Sequence, residues 1–110
     1  MKLNIKIIKK DKTGKYKEYY KGELIFEGYY LNNKKWNGKG KEYNNYGELM
    51  YEGEYLIGKR NGKGKEYDEH HELIFEGEYL NGQIWNGKGK KYDKYGELIF
   101  EEEYLYGVKK

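Results

Sequence analysis

Cysteine, proline, alanine and serine are all missing from this chain of 110 residues. Without cysteine there can be no disulfide framework and no thiolate metal site. Serine and cysteine are also the commonest covalent nucleophiles, so their absence argues against nucleophilic catalysis. No apolar run approaches the ~20 residues that a membrane-spanning helix needs, and the charged start of the chain does not fit a signal peptide. We therefore expect a non-enzymatic protein of the cytoplasm, with peripheral attachment to a membrane as the alternative.

Aromatic side chains supply most of the apolar surface that this chain can bury. Charged residues make up 37% of it, yet the formal net charge is only +3, because positive and negative side chains nearly cancel. The chain has 15 tyrosines, 3 phenylalanines and 2 tryptophans, and each can bury a large area. We predict a single folded domain, residues 1–110, whose core consists of aromatic rings rather than a thick aliphatic layer.

A unit of about two dozen residues repeats along the chain, and each copy opens with Glu-Leu. The openings at Glu23, Glu48, Glu72 and Glu97 are 25, 24 and 25 residues apart. The array comprises a degenerate unit with a first strand at 3–7, three full units and a partial capping unit, with the boundaries 1–21, 22–46, 47–70, 71–95 and 96–110. Repeats of this period stack into one continuous structure.

Each unit has the pattern of a β-hairpin. Apolar residues alternate with glutamates over 48–56, which is typical of a strand with two different faces. Asn61-Gly62 follows, and because glycine and asparagine tolerate positive φ we place a tight turn there. Bare backbone at Gly53 and Gly64 would let an aromatic ring of one strand lie flat on the next. No stretch has helical periodicity, so we predict an all-β fold of tandem β-hairpin repeats with roughly eight to nine strands.

Aligned in this way, the unit resembles the MORN repeat (membrane occupation and recognition nexus), whose pattern is Tyr-x-Gly-x-aromatic followed by spaced glycines. The second full unit matches that pattern at Tyr51, Gly53, Tyr55, Gly58, Gly62 and Gly64. The third matches it at Phe75, Gly77, Tyr79, Gly82, Gly87 and Gly89. The first full unit has Asn33 at the middle glycine position, and the first and third units each carry one additional residue, Trp36 or Trp85.

The resemblance implies a single-layer, twisted antiparallel meander sheet of stacked hairpins. It also implies a scaffold or interaction module, since MORN proteins mostly act as such. Some members of the family are proposed to bind phosphoinositides and membranes, and some form elongated homodimers. The tryptophan insertions depart from the family pattern, and we expect them to lengthen two hairpin loops at one rim of the sheet.

The leading hypothesis is a non-catalytic module that binds a protein partner, or a second copy of itself as a homodimer, through its aromatic face. A single-layer sheet has no second layer to cover both faces, so aromatic surface can stay available. Aromatic residues recur at the same positions of successive units and would form a ladder of rings along the sheet. The competing interpretation, that these rings mainly form the core, is favoured for this ladder. The candidate partner-binding residues are Phe26, Tyr30, Tyr51, Tyr55, Phe75, Tyr79, Trp36 and Trp85.

Lysines in register support the first alternative, a peripheral phospholipid-binding module on an anionic membrane surface. The candidate lipid-binding residues are Lys39, Lys41, Lys63, Lys65, Lys88 and Lys90. Glutamates such as Glu52 and Glu54 would oppose Lys63 and Lys65 across the hairpin and neutralise that face, so a solvated, salt-bridged surface is favoured over a lipid site. A net charge of +3 and a single arginine also argue against nucleic acid as a partner.

Other sites have weak signals, and we predict no catalytic residue, cofactor or metal. Gly-Lys-Gly recurs without continuing into a nucleotide-binding motif, and His70-His71 has no second ligand pair. His71 stands where the other links between units have glycine, so we expect it to adopt positive φ in a turn. A second alternative function is an antitoxin- or immunity-type protein, because related aromatic-glycine repeats occur in toxin-neutralising proteins.

Glu102 stands in the last unit where the earlier units have glycine, and the strand alternation directs its side chain to the aromatic face. An inward charge on an edge strand opposes edge-to-edge association. We therefore expect Glu102→Gly to increase self-association. Sedimentation velocity of both proteins at equal concentration checks this, and an unchanged sedimentation coefficient would contradict it.

Overall fold

The computed structural model describes residues 6–32 and 34–110, and of Lys34 the backbone alone. Within these ranges ten strands follow one another in chain order and form one antiparallel sheet. The strands are β1 (Lys6–Lys10), β2 (Tyr16–Tyr20), β3 (Glu23–Leu31), β4 (Lys34–Tyr43), β5 (Leu49–Leu56), β6 (Lys59–Tyr67), β7 (Leu73–Leu80), β8 (Gln83–Tyr92), β9 (Leu98–Leu105) and β10 (Val108–Lys109). This confirms the predicted all-β meander, with one strand more than the upper expectation.

No helix occurs in the described part of the chain, and thus none that is long and apolar enough to cross a membrane. The predicted first strand at 3–7 falls partly on residues 1–5, which lie outside the described residues, as does Asn33. Its last two positions belong to β1.

The core lies on one face of a sheet that is a single layer. All ten strands of the described residues belong to this one sheet, and no helix among them packs against it. Successive core rings contact each other edge to face, with centroids 5.3 to 5.9 Å apart, along Phe26, Tyr55, Tyr51, Tyr79 and Phe75. Each such contact contributes about 0.5–1.5 kcal/mol beyond the buried area.

Glycine backbone brings the rings this close to the sheet. A Cβ atom on Gly40 would lie 2.6 Å from the Phe26 ring, and one on Gly64 would lie 2.6 Å from the Tyr51 hydroxyl. On Gly53 it would lie 2.6 Å from the Cα atom of Gly64 on the neighbouring strand. The prediction that rings lie on bare glycine backbone is confirmed.

The predicted hairpin turn at Asn61-Gly62 is wrong. The turn between β5 and β6 is Ile57-Gly58, with φ of 51° and 76°, and Leu56 faces Lys59 across it. Two-residue turns with positive φ at both positions match the twist of the flanking strands. Asn61-Gly62 lies inside β6 instead, where the register shifts in a bulge. The equivalent two-residue turns elsewhere are Lys21-Gly22, Asn81-Gly82 and Tyr106-Gly107.

The tryptophan insertions do not lengthen hairpin loops, contrary to the prediction. Trp85 is the extra residue of a β-bulge, because its neighbours in β8 have partners on β7 whereas it has none. Trp36 has the same position in β4. The carbonyls of Trp36 and Trp85 accept hydrogen bonds from the turn amides of the next hairpins, at Gly58 (2.9 Å) and Gly107 (2.8 Å). A bulge absorbs one extra residue at less cost to pairing than a changed turn.

The asparagine of each Asn-Gly pair joins neighbouring hairpins. Its side-chain oxygen accepts a hydrogen bond from the first turn residue of the next hairpin. The three bonds run from the amides of Ile57, Asn81 and Tyr106 to Asn37, Asn61 and Asn86, at 2.9, 3.2 and 2.9 Å. The Asn-Gly pairs therefore connect the hairpins to one another rather than turn the chain.

The links between repeats are closed by an aspartate or asparagine. The Asp68 carboxylate accepts hydrogen bonds from the amides of His70 (2.8 Å) and Glu72 (3.0 Å), and Asn44 and Asp93 have the same role in their links. His71 has a φ of 67°, which confirms that it replaces glycine in a turn.

We expect Gly53→Ala to lower the free energy of unfolding by about 3 kcal/mol, because its Cβ atom would collide with the adjacent backbone. Gly89→Ala is the matched control: it is also a strand glycine, and the nearest atom to its added Cβ is a Tyr104 ring carbon at 3.3 Å. We expect that change to cost about 1 kcal/mol or less. Urea unfolding measures both, and equal losses would contradict the role assigned to Gly53.

Candidate functional site: a glycine trough opposite an arginine cluster

The predicted partner-binding rings lie mainly in the core. Five of them are at most 8% exposed, namely Phe26, Tyr51, Tyr55, Phe75 and Tyr79. Tyr30, Trp36 and Trp85 are half-buried. The interpretation of the ladder as core is confirmed, and these five rings leave little surface for a partner. A partner-binding role for the set stays a prediction.

Arg60, the single arginine of the chain, lies over the ring ladder on the aromatic face. Its guanidinium carbon is 4.1 Å from the Tyr51 ring centroid. Its Nε and Nη2 atoms donate to the two carboxylate oxygens of Glu42 at 3.0 and 2.9 Å, and Nη1 donates to Glu66 at 3.0 Å. One side chain thus joins β4, β5 and β6, with the planar geometry that favours arginine over lysine.

Two core tyrosines complete this arginine cluster. The Tyr55 hydroxyl donates to Glu42 at 2.6 Å, and the Tyr79 hydroxyl donates to Glu66. Burial, followed by these bonds to carboxylates, raises the pKa of both tyrosines well above its usual value. Burial alone would raise the pKa of Glu42, but the hydrogen bonds from Arg60 and Tyr55 outweigh it and lower the pKa. The cluster is a polar network that joins neighbouring strands.

Glu18 has the equivalent position at the N-terminal end of the sheet. Its side chain is only 1% exposed, and its carboxylate lies 2.6 Å from the Lys6 ammonium and 3.6 Å from that of Lys35. The hydroxyl of Tyr30 is buried beside Glu18, and its pKa is raised by burial and then by the Glu18 charge. Two lysines thus balance the buried carboxylate, as Arg60 does in the next repeats.

Sequence reasoning missed these carboxylates. A signal for them existed, since Lys-Glu-Tyr recurs at 17–19, 41–43 and 65–67 and places one glutamate per repeat on the aromatic face. The last full repeat has Lys91 there, and Tyr104 donates instead to Glu102 at 3.2 Å. Among the described residues, no group of three or more potential metal ligands occurs.

The opposite face has a column of glycines that crosses four adjacent strands. Gly40 pairs with Gly53, Gly53 with Gly64, and Gly64 with Gly77. Two rows of alternating charge flank this column. One row is Lys41, Glu52, Lys65 and Glu76, and the other contains Lys39, Glu54, Lys63 and Glu78.

Together these residues line an open trough of about 810 Å³. The trough crosses β3 to β7, a span of about 19 Å at ~4.8 Å per strand, which is room for about six residues of extended chain. Four of the six candidate lipid-binding lysines line it; Lys88 and Lys90 do not. The expected neutralisation of this face is confirmed, since Glu52 faces Lys41 and Lys65 on its two sides. Glu54 faces Lys39 rather than a lysine of its own hairpin.

We expect Arg60→Met to lower the free energy of unfolding by about 2 kcal/mol at neutral pH, because Glu42 loses its bidentate partner. Arg60→Lys should restore little of this, since an ammonium cannot reproduce the planar contacts. Lys59→Met removes the same charge from the neighbouring exposed position and is the control.

The deficit of Arg60→Met should shrink in acid. The folded-state pKa of Glu42 lies below its unfolded value of 4.5, so its stabilisation is present above that value and is lost as the pH falls through the folded pKa. Chemical unfolding of both proteins across the acid range tests this. A deficit that stays constant as the pH falls would contradict the assigned role of Glu42.

No protein-family model, curated protein or solved structure matched this chain in the three comparisons made. The MORN repeat is therefore a resemblance in sequence pattern, and the architecture rests on the strand order and register given above.

Proposed function

We propose that this protein is a non-catalytic interaction module that holds an extended polypeptide segment in the trough on its charged face. The observation that carries the proposal is the pair of rows of alternating lysine and glutamate that flank a floor of main chain. The MORN-like pattern supports the same class of function. The five core rings are almost completely buried and leave little surface for a partner, so we place the segment on the opposite face.

The charge pattern favours a polypeptide of mixed charge as the occupant. Glutamates lie between the lysines in both rows, so the two signs cancel over a distance of one strand, which is well within the Debye length. A phosphoinositide or nucleic acid needs a continuous positive field, whereas a polypeptide can present acidic and basic side chains in turn. The trough floor is main chain because the charged side chains stand on either side of it, while the missing Cβ atoms of Gly40, Gly53 and Gly64 make room for rings on the other face.

Selection of displayed random peptides on the purified protein, followed by titration calorimetry, tests the proposal. We expect enriched peptides to carry both acidic and basic residues. Lys65→Glu should weaken their binding about fivefold or more, because an attraction in the trough becomes a repulsion. Lys88→Glu is the matched control, since it makes the same charge change on the same face outside the trough, and we expect unchanged affinity.

Equal effects of the two variants, or no enriched peptide, would contradict the trough as a binding site. Co-sedimentation with vesicles runs in parallel, using neutral lipid with and without anionic lipid. Binding that requires anionic lipid and is reduced by Lys65→Glu would favour the phospholipid alternative instead.

A further inference from the structure

The two walls of the trough carry the same sign of charge at each strand. Every strand that forms the floor has its glycine between two residues of one sign, and the sign alternates from strand to strand. The pairs are Lys39 and Lys41 in β4, Glu52 and Glu54 in β5, Lys63 and Lys65 in β6, and Glu76 and Glu78 in β7. A side chain of a bound segment therefore meets the same charge at a given strand, whichever wall it turns to.

Most glutamates of the trough already accept a hydrogen bond from the chain itself. The donors are the Tyr67 hydroxyl to Glu52 (2.8 Å), the Lys63 backbone amide to Glu54 (2.8 Å) and the Asn86 side-chain amide to Glu78 (3.3 Å). These bonds hold the carboxylates in place and satisfy part of their hydrogen-bonding capacity.

The lysines of the trough are engaged much less. Among the described residues, the ammonium groups of Lys39, Lys41 and Lys63 have no ion pair, hydrogen bond or ring contact. Lys65 lies 3.8 Å from Glu76, and both side chains are largely exposed, so that pair contributes little. The unsatisfied charge of the trough is therefore positive, and it is located on β4 and β6.

The glutamate next to the β4 lysines is paired elsewhere. Glu27 faces Lys39 in the strand register. Its carboxylate nevertheless lies 3.4 Å from the Lys15 ammonium and 3.7 Å from that of Lys17. Lys39 is thus left available to an external carboxylate.

The spacing of β4 and β6 selects a spacing of acidic residues in an extended partner. Strands are ~4.8 Å apart, so cations two strands apart are separated by about 9.6 Å across the sheet. A chain in β conformation places residues i and i+3 about 9.9 Å apart, and one in polyproline II conformation places them about 9.3 Å apart. Residues i and i+2 span only about 6.6 Å, and i and i+4 span about 13.2 Å.

We propose that the segment held in the trough has acidic side chains at positions i and i+3, one between Lys39 and Lys41 and the other at Lys63. A basic residue between the two acids then lies over the glutamates of β5. The proposal rests on the polypeptide-binding function proposed above, and it specifies the partner as an extended segment with a charge repeat of three residues. Selectivity comes from the order of the charges and not from composition.

The test compares two end-blocked peptides of one composition by two-dimensional NMR titration of the ¹⁵N-labelled protein. The parent is Glu-Lys-Gly-Glu-Lys-Gly, and the permuted peptide is Glu-Glu-Gly-Lys-Lys-Gly, whose acids are adjacent. We expect the parent to shift the amide signals of Gly40, Gly53 and Gly64 with a Kd of about 1 mM or below. The permuted peptide should bind about threefold or more weakly, because it loses one of the two contacts between an acid and a lysine.

Variants of the protein locate the effect. The double variant Lys39→Gln/Lys41→Gln should abolish the difference in affinity between the two peptides. Lys88→Gln/Lys90→Gln, the equivalent pair in β8 outside the trough, should retain it. Thermal melts show that both variants fold.

The possible failures are distinguishable. If neither peptide shifts the trough glycines, this proposal and the proposed function are both overturned. Equal affinity of the two peptides at those glycines, or equal effects of the two double variants, overturns the spacing alone. Tighter binding of inositol trisphosphate than of the parent at the same glycines would assign the lysines to a lipid head group. Shifts that grow with protein concentration without peptide would assign the trough to a second copy, and either result overturns the proposal.

Discussion

The contact between an aromatic ring and the bare backbone of a glycine is the interaction on which this structure depends. A sheet normally buries one face against a second layer, and this chain is a single layer with few aliphatic residues. Phe26, Tyr51 and Phe75 are nonetheless almost completely buried. They reach that state because the strand beside each ring has glycine, so the ring packs on main chain. Glycine backbone thus covers the rings as a second layer would. A Cβ atom at Gly53 or Gly64 would collide with the Tyr51 side chain.

The same repeats determine how much could be predicted from sequence. Alternation of apolar and charged residues, spaced glycines and a constant period were enough for the all-β meander, for the core rings and for the turn at His71. The hairpin turn was misplaced because Asn61-Gly62 suits positive φ, whereas Ile57 is β-branched and is disfavoured at the φ of 51° that it adopts. The strand register determines which pair forms the turn. With Ile57-Gly58 as the loop, Leu56 faces Lys59, and the Asn61 side chain accepts a hydrogen bond from the next hairpin.

The candidate sites were harder to predict, because they depend on neighbours across strands. A single arginine in the sequence does not indicate a site. Arg60 reaches Glu42 and Glu66 because a bulge in the pairing of β5 and β6 places it opposite Tyr55. The lysine rows were visible, and so was their neutralisation by glutamate. The trough was not visible, since it needs Gly40, Gly53, Gly64 and Gly77 to be in line. In the hairpin of the middle repeat, which lacks the tryptophan insertion, Gly53 pairs with Gly64, the second glycine of the Gly-Lys-Gly segment. In the next hairpin, Gly77 pairs with Gly87, the first glycine of that segment.

The middle and outer hairpins pair their glycines in two different registers. In the middle hairpin, Gly53 faces Gly64, the second glycine of its Gly-Lys-Gly segment, and so continues the column begun by Gly40. In the outer hairpins, which carry the additional Trp36 or Trp85, Gly28 and Gly77 face the first glycine of the segment, so Phe26 and Phe75 face the second. The ring is buried in both registers, because Gly64 lies against Tyr51 in the middle hairpin as Gly40 lies against Phe26 in the first. The inserted residue therefore changes the register of the glycines but not the burial of the ring.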